Sequence, residues 1–205
     1  MKEKTILIAV VALLVGGIGG YMIANNHDHQ MQEMDHSMMM SDTKETQGMP
    51  MEHMGGMDHS AMMVSSEQEF VSGMIPHHQE AVDTANEVLA RGGTTEDIRI
   101  LAEGIIAAQE REIVLLKQWH QDWYGQAYTE TGTYQPMMRD LSSLSGADLD
   151  KRFLEDMIPH HMGAIMMAES VRPFIEHTEI TQLADTIMET QSAEITQMYE
   201  LLKTI

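Results

Sequence analysis

A histidine-rich pentapeptide occurs twice in the chain. Met-Ile-Pro-His-His fills residues 74–78 and again residues 157–161, so the two copies lie 83 residues apart. Residues three and four apart lie on one face of an α-helix, and each copy therefore presents a thioether and two imidazoles together. The predicted metal ligands are Met74, His77, His78, Met157, His160 and His161. Adjacent side chains diverge by about 100° around a helix, so either the proline distorts the helix or one histidine of each pair serves a partner helix.

The types of donor indicate the metal. Thioethers are soft ligands that suit Cu(I), and imidazoles suit copper in both oxidation states, whereas zinc sites rarely use methionine. The chain has 22 methionines and no cysteine, a composition that holds soft metals without forming disulfides outside the cytoplasm. We therefore predict copper as the cofactor, with Cu(I) favoured and Cu(II) or Ag(I) also compatible.

The repeated motif has two other interpretations. The methionines could be core residues, with each histidine satisfied by a Gln or Glu across the helices. A di-iron site would instead need Glu-x-x-His motifs on core-facing helices. The one Glu-x-x-His motif, at residues 33–36, lies in the predicted tail and not on a predicted helix, which argues against a di-iron site.

Further polar and sulfur-containing residues share the predicted helices with the motif. They either orient the histidine rings, ligate the metal directly or lie at the exposed edges of the helices. These secondary candidates are Gln109, Glu112, Gln191, Glu194, Met162 and Met166.

Residues 25–65 are rich in Met and His and poor in other apolar residues, which predicts a disordered tail. Half of the methionines lie between residues 25 and 66, in a stretch with almost none of the Leu, Ile and Val needed for a core. The tail therefore predicts further soft-metal sites. Their candidate ligands are His27, His29, Met31, Met34, His36, Met38, Met39, Met40, Met49, Met51, His53, Met54, Met57, His59, Met62 and Met63.

Residues 1–24 resemble an export segment. Lys2 and Lys4 precede an apolar run over residues 5–24, in the order of a secretory signal and near the length of a membrane span. We predict an uncleaved anchor in the cytoplasmic membrane, with a cleaved signal as the alternative. The positive residues place the N-terminus inside and the remainder in the periplasm or at the cell surface, or secreted if cleavage occurs.

The duplication also predicts the architecture. We expect an all-α fold in which two helical hairpins form an antiparallel four-helix bundle over residues 66–205. The first repeat covers residues 66–125, a linker covers 126–144 and the second repeat covers 145–205. A capping-box pattern at residues 66–69 starts the first helix, and Pro76 predicts either a kink or a later start. Thr178 is predicted to cap the fourth helix.

The formal net charge of −20 argues against nucleic acid or an anionic membrane surface as a partner. The predicted partners are the metal ion, a copper exporter or cuproenzyme and the membrane around the N-terminal segment. The sequence leaves a homo-oligomer open.

The paired Met-Ile-Pro-His-His motifs, the Gln-x-x-Glu-Ile segments at 109–113 and 191–195 and the lead-in at 144–150 resemble the domain of unknown function 305 family. The resemblance covers about residues 66–203. It implies a ferritin-like four-helix architecture, a copper-binding role outside the cytoplasm linked to copper resistance, and the six motif residues as the metal ligands.

These observations predict an exported copper-binding protein that acts in copper buffering, resistance or delivery and is not an enzyme. One alternative is a metal-dependent oxidoreductase, such as a cuprous oxidase. The other is a structural or adaptor bundle in which the His and Met residues belong to the core.

Overall fold

The computed structural model describes residues 62–205 and contains no strand within that range. The four α-helices are α1 Glu67–Arg91, α2 Glu96–Tyr124, α3 Gly146–Val171 and α4 Thr178–Leu202, with a short 3-10 helix at Arg172–Phe174. The prediction of an all-α fold with four helices is confirmed. None of these helices is long and apolar enough to cross a membrane. The predicted membrane segment and the tail up to residue 61 lie outside the described residues, and the ferritin-like assignment stays a prediction.

The helix ends follow from local side-chain chemistry. Ser66 is the N-cap of α1, and its side chain accepts a hydrogen bond from the Glu69 N–H. Gly125 ends α2 with a φ of 71°, a left-handed conformation that glycine adopts without steric cost. The alternative of a late start for the first helix is wrong, because α1 begins at Glu67 and continues through Pro76.

The predicted cap of the fourth helix is off by one residue. The N-cap is His177, and Thr178 is the first residue of α4. The reason is tertiary, because the backbone N–H of His177 donates to the Glu67 carboxylate at 2.8 Å and fixes the chain just before the helix.

The helices pack as two hairpins, α1 with α2 and α3 with α4, and α1 contacts α3 between the hairpins. Two apolar clusters fill the interior, one containing Phe70 and Met74 and the other containing Phe153 and Met157. All four of these side chains are fully buried. Burial of an apolar side chain of this size stabilises a fold by about 1.5–3 kcal/mol.

Two buried carboxylates join the repeats. Asp150, near the start of α3, accepts hydrogen bonds from the Gly93 N–H (2.6 Å) and from the Thr94 N–H (2.8 Å) and hydroxyl (2.6 Å). Glu67, at the equivalent position of the first repeat, accepts hydrogen bonds from the N–H groups of residues 176 and 177 at 2.7 and 2.8 Å. Each carboxylate thus holds the interhelical turn of the other repeat. The beginning of each of α1 and α3 therefore lies beside the end of the other, and the two helices are antiparallel.

Candidate metal centre

Four buried imidazoles meet where α1 crosses α3. The ring centroids of His77 and His160 are 3.8 Å apart with an interplanar angle of 37°, while neighbours in sequence are 6.2 Å and 6.3 Å apart. All four rings are at most 1% exposed. The antiparallel packing pairs the equivalent histidines of the two repeats because each lies near the middle of its helix.

The second histidine of each pair turns toward the other helix of its own hairpin. His78 Nε2 lies 2.7 Å from Oε2 of Glu112 on α2, and His161 Nε2 lies 2.7 Å from Oε2 of Glu194 on α4. The two histidines of a pair therefore have different neighbours, as their divergence around the helix requires. The glutamates occupy positions from which a carboxylate can orient an imidazole ring.

Glu80 faces His160 and anchors part of the linker. Its Oε2 lies 3.3 Å from His160 Nε2 and accepts a hydrogen bond from the Tyr134 hydroxyl at 2.5 Å. Its carboxylate also accepts from the backbone N–H groups of Met137 (2.9 Å) and Met138 (3.0 Å). Burial would raise the pKa of Glu80, but His160, Tyr134 and the two amides together lower it to about 2. The carboxylate is therefore ionised at neutral pH.

Gly163 faces His77. A Cβ atom at this glycine would lie 3.2 Å from His77 Nε2, 3.3 Å from Met62 Sδ and 3.3 Å from Met137 Cε. Glycine thus allows the imidazole of α1 and two methionine side chains from outside the helices to approach α3 closely. Met62 precedes α1, and Met137 belongs to the linker before α3.

Electrostatics keep the central histidines neutral. The pKa of His77 is lowered well below its ordinary value, because burial removes water and because His160, His78 and His161 lie nearby. The pKa of His160 is also lowered by burial, and Glu80 offsets part of this effect. A neutral imidazole keeps one nitrogen lone pair free for a metal.

Most of the ring nitrogens have no hydrogen-bond partner. Both nitrogens of His77 and the Nδ1 atoms of His78, His160 and His161 are buried without a partner. The Nε2 atoms of His78, His160 and His161 each face a carboxylate. An unpartnered buried polar group costs about 1–3 kcal/mol. A metal ion bound through these nitrogens would remove that cost, so the four residues fit a metal site chemically. No group of three His, Asp or Glu side chains within residues 62–205 is arranged around one common metal position.

The other predicted site residues lie in several environments. Met74 and Met157 are fully buried in the two apolar clusters. The Oε1 atoms of Gln109 and Gln191 are buried without a hydrogen-bond partner. Met162 is 36% exposed, and Met166 is partly buried. Among the predicted tail ligands, Met63 is 57% exposed, and the candidates before residue 62 lie outside the described residues.

Comparison with known proteins identifies the family. Residues 19–120 and 67–202 match the model of a family described as Domain of unknown function (DUF305). The chain belongs to the DUF305 family. No curated protein matches the chain significantly.

Solved structures resemble the described part of this DUF305 protein. CopM in the Cu(II)-bound form is 36% identical with a TM-score of 0.63, and the match covers 69% of this chain and 99% of CopM. CopM in the Cu(I)-bound form is 34% identical with a TM-score of 0.63, covering 69% and 98%. A DUF305 protein from Streptomyces coelicolor, described as a candidate secreted protein, is 26% identical with a TM-score of 0.61, covering 68% and 93%.

Sequence reasoning missed four residues around the histidines of this DUF305 domain. Glu80 and Gly163 each follow a His-His pair by two residues. The difference between the repeats at this position could have indicated that both residues lie near the histidines. Tyr134 and Met137 lie in the linker, where no helical periodicity indicates which side chains turn toward the interior.

Proposed function

We propose that this chain is an exported copper-binding protein that buffers copper, supports copper resistance or delivers copper to a partner. The observation that carries the proposal is the group of four buried histidines at the α1–α3 contact, whose ring nitrogens are largely unpartnered. A core made only for stability would replace such groups with apolar residues, since each unpartnered polar atom is costly. Their retention in both repeats favours ligation.

The relatives support copper as the metal. CopM has been solved with Cu(I), Cu(II) and silver bound, and its match with this chain spans nearly all of CopM. Neutral imidazoles beside methionine thioethers suit Cu(I), and Ag(I) should mimic it. We propose Cu(I) as the principal ion, with Cu(II) held by the imidazoles alone.

The proposed location and partners rest on the sequence and on one relative. Residues 1–24 carry the pattern of an export segment, and a Streptomyces relative is described as a candidate secreted protein. We propose a site of action outside the cytoplasm, with residues 5–24 as the anchor and a copper exporter or cuproenzyme as the recipient. The Met- and His-rich tail would raise the local copper concentration near the bundle, as a tethered binding module does.

The test is the stoichiometry of Cu(I) bound by the full chain in detergent, measured by competition with a coloured chelator. One variant changes His77, His78, His160 and His161 to Ala. The matched control removes the same number of imidazoles from the tail by changing His27, His29, His53 and His59 to Ala. Circular dichroism checks that each variant remains helical.

We expect the first variant to lose the tightest copper while the tail control keeps it. Equal binding in both variants would return the four histidines to a structural role and contradict the proposal. We also propose that the protein binds copper without catalysis. Sustained oxygen uptake on addition of Cu(I) would favour a cuprous oxidase instead.

A further inference from the structure

The two repeats differ at one position beside the central histidines. Glu80 and Gly163 occupy equivalent positions, each two residues after a His-His pair. Glu80 places a carboxylate 3.3 Å from His160 Nε2, whereas Gly163 has no side chain to offer His77. The central histidine of α3 thus has an oxygen neighbour, and the central histidine of α1 does not.

Methionine side chains lie beside Gly163, the position where the second repeat lacks the carboxylate of Glu80. The Cβ position of Gly163 is 3.2 Å from His77 Nε2 and 3.3 Å from Met62 Sδ. The His77 Nε2 and Met62 Sδ atoms are therefore separated by at most about twice 3.3 Å. The Met137 methyl carbon lies 3.3 Å from the same point, so the sulfur bonded to it is also close. A metal bonds to imidazole nitrogen and to sulfur at about 2.0–2.3 Å, taking zinc as the guide, so small side-chain rotations would bring all three donors to one ion.

We propose that His77, Met62 and Met137 form a three-ligand site for a soft monovalent ion, Cu(I) or Ag(I), beside Gly163. This inference rests on the proposed function and extends it by naming which donors hold the ion. Two neutral thioethers and one neutral imidazole favour a soft monovalent ion over a hard divalent one. The equivalent place beside His160 has an ionised carboxylate instead, so the two halves of the centre differ in chemistry.

The surrounding structure fixes the positions of both methionines. Glu80 accepts hydrogen bonds from the Met137 N–H at 2.9 Å and the Met138 N–H at 3.0 Å, which holds the linker against α1. The Val64 N–H donates to the Ser170 hydroxyl at 3.0 Å, which holds the segment before α1 against the end of α3. Glu80 is therefore a positioning residue for Met137.

The site also lies at one end of the Met-rich segment. Met62 is its last methionine but one, and nine more methionines precede it between residues 31 and 57. An ion bound along that segment would meet Met62 immediately before the bundle. In this proposal Met62 is both one of the last methionines of that segment and a ligand of the bundle site.

The experiment is a titration of the full chain in detergent with Ag(I), which is not redox active under these conditions. The methionine methyl groups carry carbon-13 and the imidazoles carry nitrogen-15, so NMR reports each ligand separately. A competing chelator keeps free Ag(I) low enough that only the tightest sites fill. The variants Met62→Leu and Met137→Leu identify the two methyl signals, because the signal of the replaced methionine is missing from the spectrum.

The chain offers a matched control for each variant. Met188→Leu is the control for Met62→Leu, because both side chains are partly buried against the same apolar cluster and Met188 is not a predicted ligand. Met138→Leu is the control for Met137→Leu, because Met138 follows Met137 in the linker and packs against the apolar cluster that contains Phe153 and Met157. Gly104→Ala is the control for Gly163→Ala, because a Cβ at Gly104 meets nothing within 4 Å.

We expect the Met62 and Met137 methyl signals and the His77 ring signals to shift together with the first Ag(I) bound. Met62→Leu, Met137→Leu and Gly163→Ala should each weaken Ag(I) binding at His77 by about tenfold or more, since even indirect partners of metal ligands contribute that much. The three controls should leave the affinity unchanged.

A shift of the His77 signals without any shift of the two methyl signals would overturn this inference and leave the proposed function standing. Unmoved ring signals for all four histidines would contradict the proposed function itself. The titration of the unsubstituted protein decides between these outcomes and needs no variant to fold.

Discussion

Changing Asp150 to Asn removes the charge from a side chain that accepts three hydrogen bonds from the turn of the other repeat. Changing Glu67 to Gln does the same at the equivalent position, where the carboxylate receives two backbone N–H groups and contacts the His177 ring at 2.6 Å. Both carboxylates are buried, at 0% and 4% exposure. We predict that each variant loses much more stability than an ordinary substitution of an acidic residue at the surface.

The magnitude follows from the number of hydrogen bonds. A hydrogen bond to a charged group contributes about 1.5–3 kcal/mol and a neutral one about 1 kcal/mol, so each bond loses about 1 kcal/mol. The side-chain amide of Asn or Gln also places an NH2 group beside N–H donors that need an acceptor. We expect each single variant to lower the free energy of unfolding by about 2–3 kcal/mol. The two sites lie at opposite ends of the α1–α3 pair, so their effects should add to within about 0.5 kcal/mol.

The assay is urea unfolding of the full chain, followed by circular dichroism at neutral pH with a chelator present. The chelator matters because a metal that binds only the folded state would raise the apparent stability. The control combines Glu96→Gln with Asp97→Asn, because both residues are exposed in the first turn of α2. Its charge change equals that of the double variant at Glu67 and Asp150.

A double variant at Glu67 and Asp150 whose unfolding free energy lies within about 0.5 kcal/mol of the control's would refute the reasoning. The carboxylates would then contribute little to the register of α1 against α3, and the pairing of His77 with His160 would need another cause. A double variant that loses no more stability than either single variant would show that the two carboxylates are coupled and do not act independently.

Three further predictions concern acid, the central histidine and the buried methionines. Burial would raise the pKa of Glu67, but hydrogen bonds from His177, Glu176 and Tyr124 lower it. The stabilisation that this carboxylate provides should be complete above its unfolded-state pKa of about 4.3 and should be lost as the pH falls through its lower folded-state pKa. The unfolding free energies of wild type and Glu67→Gln should therefore converge in acid. Changing His77 to Leu should raise the unfolding free energy of the metal-free protein by about 1–3 kcal/mol, because two unpartnered ring nitrogens disappear, and should weaken Ag(I) binding in the same samples. Met74→Leu and Met157→Leu should change the unfolding free energy by less than about 1.5 kcal/mol but weaken Cu(I) binding measured against a chelator, and unchanged affinity would assign both side chains to the core alone.

Much of the fold follows from local information in the sequence. Helix periodicity, the capping residue Ser66 and the duplicated pentapeptide predict four helices in two related pairs, and the structure begins α1 directly after that cap. These signals are readable because they depend on residues within one or two turns of each other. The sequence also predicts that the two histidines of a pair point in different directions, since that follows from the helix alone.

The identity of each histidine's neighbour could not be predicted, because periodicity does not set how one helix is placed against another. The pairing of His77 with His160 depends on the antiparallel contact between α1 and α3, which Glu67 and Asp150 fix through turns far away in the sequence. The linker has no periodicity, so the position of Met137 depends on hydrogen bonds to Glu80 that form only in the folded chain. The sequence by itself determined the helices and the types of donor they carry. The tertiary structure decided which donors meet, because a metal site is a set of distances between residues that are distant along the chain.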